Sequence, residues 1–438
     1  QVLSDHEIWR EFEAIAEWLE RFLPTVSEQR LPSNLASVKD MILQELEFSA
    51  GTAESQSNLL ETFVETDLTT RALDPRTTLV IGRKGMGKTA IFRRLSEDQR
   101  QTSFVILSPS GVFKQNRPWI LNPESFQSIE MELNKQKKNW RDFWLLQTCL
   151  ACYLSLSDEK PMPDEMISNF IRDNFNSSLS TLEFIKHFKS LLGYPDISLL
   201  ARDWITRFDQ AATDNLLLLF DGLDTGFGNT EEDRKRRTYS IEGLLSLVMD
   251  LSGELQFLKF KLFLRDDIWR KLRFDNKSHF FGRSVTLSWG NKSDFLQVII
   301  KQALQSNSFK ELLRSADNGR LFEFDFLGRL FGFDLLNELQ VLEIWNILVG
   351  ERMRGGKSAF TRNWVWNRIA DGSNNHSPRT LLQLFAEAKD WEMREQAKNP
   401  DKKTIIRPRA LNASLEMVSK QALDALIKEE FPELETLI

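Results

Sequence analysis

Apolar and polar positions change period along this chain, and the changes divide it. Ile8, Phe12, Ile15, Leu19 and Phe22 recur at steps of four and three, which gathers them on one face of a helix. Ser4 and Glu7 form a capping-box pattern ahead of that stripe, and Pro24 ends it. Leu35, Val38, Ile42 and Leu46 predict a second helix, and SAGTAESQS is a flexible break. Residues 1–75 therefore read as an N-terminal helical segment, which either packs on the next domain or offers a partner a docking face.

From residue 76 the texture becomes short apolar runs alternating with helical patterns, the signature of a parallel sheet with crossover helices. The runs predict strands at 78–81, 103–107, 216–220, 259–264 and 285–287, hence an α/β fold with a five-stranded, doubly wound parallel sheet. A mostly helical stretch at about 115–213, including 143–154 and 182–192, reads as an insertion. After Trp289 the strand signal fades, and 295–304, 321–349, 379–398 and 413–427 are helical in pattern. The expected domains are 1–75, 76–290 and 291–438, the last a helical lid with a C-terminal module open to a winged-helix reading.

Composition narrows this picture. A chain of 438 residues exceeds one ordinary core, and 41% apolar with 27% charged residues describes a globular protein. No apolar run reaches the roughly 18 residues of a membrane span, and QVLSDHEIWREF lacks the order of a secretory signal. A cytoplasmic protein without membrane attachment is expected. The opening Gln1 points to a piece of a longer chain. Cys149 and Cys152 have C-x-x-C spacing without a second pair or a nearby histidine, so they read as buried helix thiols rather than a zinc or redox site. With 57 basic against 63 acidic residues the net charge is −6, which leaves only local patches for nucleic acid.

The chemistry concentrates in TLVIGRKGMGKTAIF. Gly82, Arg83, Lys84, Gly85, Met86, Gly87, Lys88 and Thr89 fill G-x-x-x-x-G-K-[ST], with a predicted strand before them and a helix opening at Ala90 behind. Glycines let successive backbone N–H groups turn toward an anion, and the helix N-terminus adds partial positive charge there. Lys88 then reaches the β- and γ-phosphates of a nucleotide, and the Thr89 hydroxyl serves Mg²⁺. The second part is NLLLLFDGLDTGF, an apolar strand that delivers Asp221 to its C-terminal end, where open parallel sheets place ligands. Asp221 is the candidate magnesium ligand. Asp224 is either the group that polarises the attacking water or a turn residue.

GRKGMGKT, LLLLFDGLD, KLFLRDDI and SVTLSW together resemble the additional-strand P-loop ATPases, in the STAND and AAA+ branches. The likeness is nearest to bacterial P-loop ATPases found beside phage-defence genes, with G-R-K-G-x-G-K-[ST] and F-L-R-x-D-I signatures, and spans roughly 60–430. The resemblance implies ATP with Mg²⁺, and no N-K-x-D guanine-reading motif opposes adenine. It also implies a homo-oligomer or an effector partner.

By this resemblance Arg265 in FLRDDI senses the γ-phosphate, with an ion pair to Asp266 or Asp267 as the alternative. Arg379 in NNHSPRTLLQLF takes the position of a lid sensor, with a surface arginine after a proline as the alternative. Arg270, Arg273 and Arg283 occupy the region from which members of that class send an arginine into a neighbouring subunit, with an ordinary surface arginine as the favoured alternative for each. Many relatives carry Glu directly after the first aspartate. This chain has Gly222, which implies slow or partner-dependent turnover.

Two basic runs remain, NKQKKNWR at 134–141 and DRKRRTY at 233–239, the second diluted by Glu231, Glu232 and Asp233. They keep nucleic acid open without favouring it. Three functions therefore stand after the sequence: a nucleotide-driven switch or assembly ATPase in antiphage defence, a DNA-stimulated ATPase of the origin-binding type, and a nucleotide-bound scaffold with little hydrolysis. Neither a nuclease-like metal cluster nor a nucleophile with its base is visible, so any effector activity is expected in a partner or in a segment absent from this sequence.

Overall fold

The computed structural model describes residues 35–48, 58–97, 102–107, 122–155, 166–175, 179–316, 336, 338–354, 356, 358–401 and 403–429. The predicted helix over 4–22 and the first part of the one over 321–349 lie outside these residues. The chain forms two compact units, one of residues 51–60 and 65–288, the other of 1–50, 61–64 and 289–438.

The first unit is built on five parallel strands: β1 (Leu79–Gly82), β2 (Thr102–Leu107), β3 (Leu216–Phe220), β4 (Leu258–Arg265) and β5 (Ser284–Thr286). Their order across the sheet is β2-β3-β4-β1-β5, so β4 separates β1 from β3. The predicted strands match within one or two residues. Both faces are covered, which is why each strand reads as an unbroken apolar run rather than an alternating one. Leu216, Leu218 and Phe220 join a core with Phe143, Trp144 and Leu244. Leu217 and Leu219 are equally buried but point to the opposite face, where Phe263 of β4 meets Phe92 of the helix Lys88–Glu97 edge to face at 5.8 Å.

Lys261 sits fully buried in the middle of β4. Its Nζ donates to the carbonyls of Ala72 and Asp74, at 2.8 and 2.6 Å, and so satisfies the C-terminal end of the helix Asp67–Leu73. Burial drives the ammonium down to about 7, against the pull of Asp74.

Between β2 and β3 the described chain is helical: Pro123–Lys135, Trp140–Ser155, Met166–Asn174, Thr181–Leu192 and Ile197–Gln210. Cys149 and Cys152 are thiols buried in the second of these, as their spacing in an apolar stretch predicts. Asp209, near the end of the last, accepts hydrogen bonds from the backbone N–H groups of Gln256, Phe257 and Leu258 at 2.7–2.8 Å. That one buried carboxylate shapes the entry into β4.

In the second unit the described residues form the helices Leu35–Glu45, Lys292–Ala303, Asn307–Ala316, Glu338–Val349, Thr361–Ile369, Pro378–Gln396 and Pro408–Glu429. Leu35, Ile42 and Leu46 pack with Phe295, Ile299, Trp345 and Leu384 in one core. Within it Lys39 and Glu392, both fully buried, pair at 2.8 Å, and Arg407 Nε donates to the same carboxylate at 2.9 Å. Glu45 accepts from Ser306 Oγ and from Ser308 N and Oγ, which ties Leu35–Glu45 to the start of Asn307–Ala316.

Candidate functional site

Three strands deliver their C-terminal ends to one edge of the sheet. β1 runs into the glycine loop, β3 ends at Asp221, and Arg265 closes β4 in register with Gly82. The sheet thus brings Gly82–Lys88, Asp221, Asp224 and Arg265 to one side, although they are far apart in sequence.

The loop turns sharply because Gly85 and Gly87 adopt φ of 81° and 97°, a region that side-chain-bearing residues avoid. Met86 is buried beneath it, whereas Arg83, Lys84, Thr89 and Ala90 are partly exposed. The Lys88 ammonium donates to the carbonyls of Gly82 at 2.8 Å and Arg83 at 3.1 Å, so it lies across the loop that precedes it. Burial lowers its pKa, and Asp221 and Asp224 act in the opposite sense.

Asp221 is almost fully buried. Its Oδ1 accepts from Gly222 N at 2.9 Å, whereas Oδ2 is buried without a hydrogen-bond partner. Desolvation pushes this carboxyl up to about 6, although Lys88, the Gly222 amide and the Thr89 hydroxyl hold it down. A buried carboxyl group with one oxygen unpartnered and a threonine hydroxyl beside it suits a hard divalent cation. No cluster of three or more His, Cys, Asp or Glu ligands occurs among the described residues. Thr89 and Asp221 are the residues here that could hold such a cation, with its remaining positions left to water or a ligand.

Gly222 occupies φ 73°, and its carbonyl accepts from both N and Oγ1 of Thr225, at 2.9 and 2.7 Å. A left-handed residue here folds Asp224 back over the strand end. There Arg265 Nη1 meets Asp224 Oδ2 at 3.3 Å, and Arg265 Nε meets Asp267 Oδ1 at 3.0 Å. The anticipated pairing with Asp267 is present. The pairing with Asp224 is an addition, since it depends on strand neighbours that the sequence does not display.

Among the other arginines, Arg270 pairs with Asp266 at 2.7 Å on the helix Asp266–Lys271, with 77% of its side chain exposed. The Arg273 amide donates to Glu242, and the Arg283 carbonyl accepts from Thr78 N. Arg379 is the second residue of Pro378–Gln396, in the other unit, and is partly exposed.

DRKRRTY is helical. It forms the first turns of Glu231–Ser252, which Thr230 and Asp233 close with a reciprocal capping box. Arg236 is buried between Glu130 and Asp233, at 2.8 and 2.7 Å. Arg237, one residue on, also turns inward, and its Nε is buried without a partner. The signal for this was present, because Arg237, Ile241, Leu244 and Val248 follow helical spacing, but a dense charge run hides such a stripe.

In comparisons with family models, curated proteins and solved structures, nothing matches this chain. Fold and site define an α/β protein whose parallel sheet gathers a glycine loop, carboxylates and an arginine at its C-terminal edge.

Proposed function

We propose that this chain binds ATP with Mg²⁺ and hydrolyses it slowly, as a nucleotide-dependent switch or assembly platform in bacterial antiphage defence. The observation that carries the reading is a Lys88 loop within electrostatic reach of a buried Asp221 whose Oδ2 lacks a hydrogen-bond partner. Placement of β4 between β1 and β3 supports membership of the additional-strand P-loop ATPases, the class that the motifs resemble. In this reading the amides of Gly82–Thr89 and the Lys88 ammonium bind phosphates, with Ala90 opening the helix behind them. Thr89 and Asp221 hold the metal, Asp224 prepares water and Arg265 senses the terminal phosphate, while a sensor role for Arg379 rests on the resemblance alone. The antiviral role and the oligomer or effector partner rest on the resemblance alone.

Titration of the wild-type chain and of Lys88→Ala with a magnesium ATP analogue tests the nucleotide reading. Binding by the wild type and its loss in the variant support it, and equal affinity of the two removes it. Phosphate release with and without duplex DNA distinguishes the switch from the DNA-stimulated ATPase. The inward turn of Arg236 and Arg237 favours the first. Molar mass in ATP against ADP then distinguishes a switch from a static scaffold.

A further inference from the structure

The crossover helix Glu231–Ser252 follows β3 and precedes β4, so its first turns stand at the C-terminal edge of the sheet, where open parallel sheets place ligands. It packs against β4 and against Trp140–Ser155. Arg236 is held on one side of it by Glu130 and Asp233. Arg237 continues the stripe of Ile241, Leu244 and Val248, all buried, one turn before the first of them. An arginine at the head of an apolar stripe is unexpected unless its charge has a task, because a buried N–H without an acceptor loses its hydration uncompensated. Arg237 Nε is such a group. Its surroundings are those of the candidate site: burial lowers its pKa, Asp224 and Asp267 act to raise it, and Arg265 acts to lower it again.

We propose that Arg237 is a further phosphate-contacting residue, which together with Arg265 recognises the terminal phosphate of a bound nucleoside triphosphate. This rests on the nucleotide reading above. Asp224 and Asp267 already accept hydrogen bonds from Arg265, so that guanidinium is oriented. Arg237 lies within the electrostatic influence of the same carboxylates without pairing to them, and its buried Nε N–H is left to be satisfied by an incoming oxygen. Two planar cations on one phosphate discriminate a triphosphate from a diphosphate, because each hydrogen bond to the γ-oxygens is absent in the diphosphate complex.

The test is calorimetric titration of the intact chain with magnesium ADP and with a non-hydrolysable magnesium ATP analogue. In Arg237→Gln the analogue is expected to weaken about tenfold relative to ADP, while ADP affinity stays within about twofold, which also shows that the variant is folded. An unchanged ratio of the two affinities overturns the proposal. If Arg237→Gln loses both ligands, Arg237→Lys decides. ADP affinity restored with a reduced preference for the analogue supports the proposal, and either the full wild-type preference or continued loss of both overturns it. A wild-type chain that binds neither nucleotide ends the underlying reading and this one with it. Wild-type binding with an unaltered ratio ends this one alone.

Discussion

Arg265 Nη1 lies 3.3 Å from Asp224 Oδ2, a bridge between the end of β4 and the loop that follows β3. It gives the candidate base a fixed orientation, and the Asp267 carboxylate holds the other side of the guanidinium. Arg265→Ala should therefore slow phosphate release by about tenfold or more, while ADP affinity changes little. Steady-state release and ADP titration check this, and a variant with wild-type turnover would remove Asp224 and Arg265 from the chemistry.

Asp221 predicts a pH effect whose sign follows from its environment. Its folded pKa, about 6, exceeds the roughly 4 of an unfolded aspartate. The native state therefore binds the extra proton, and the contribution of Asp221 to stability is fully present below pH ~4 and is lost as pH rises through 6. Asp221→Asn keeps an acceptor for Gly222 N and removes the buried charge. It should be more stable than the wild type at pH 8 by up to about 3 kcal/mol, with the gap closing toward pH 4. Thermal melts at both pH values, with chelator and without nucleotide, check it.

Gly222 directly follows the buried Asp221 and adopts the left-handed region. At φ 73° a side chain is strained, so Gly222→Glu should destabilise by about 1–2 kcal/mol and should not accelerate phosphate release. A faster enzyme with an unchanged melting temperature would show that the left-handed turn is not required.

In the second unit, Lys39→Met leaves the fully buried Glu392 carboxylate without its nearest ammonium. The expected loss is about 3–5 kcal/mol in urea unfolding. Adding Glu392→Leu should recover most of that loss, since Arg407 is partly exposed and can be hydrated. A double variant no better than Lys39→Met would contradict the pairing.

The sheet was legible because strands buried on both faces leave unbroken apolar runs, as Leu216–Phe220 does. The loop was legible because its glycine spacing is strict. What escaped depends on neighbours across the fold. Lys259 and Lys261 look alike in LKFKLFLR, yet Lys261 is buried against the carbonyls of Ala72 and Asp74 while Lys259 is partly exposed. The Arg265–Asp224 bridge spans 41 residues and follows from β3 and β4 being adjacent, which strand patterns do not announce. Arg237 was hidden by the charges around it.

Asp209 carries a consequence for how this protein can be shortened. Its carboxylate belongs to the helices between β2 and β3, yet the amides it holds belong to the threshold of β4. Excising those helices to obtain a minimal domain would strip three backbone donors of their acceptor at the strand that ends in Arg265. The interposed helices are thus a structural keystone, and a trimmed chain should retain Ile197–Gln210 to remain folded.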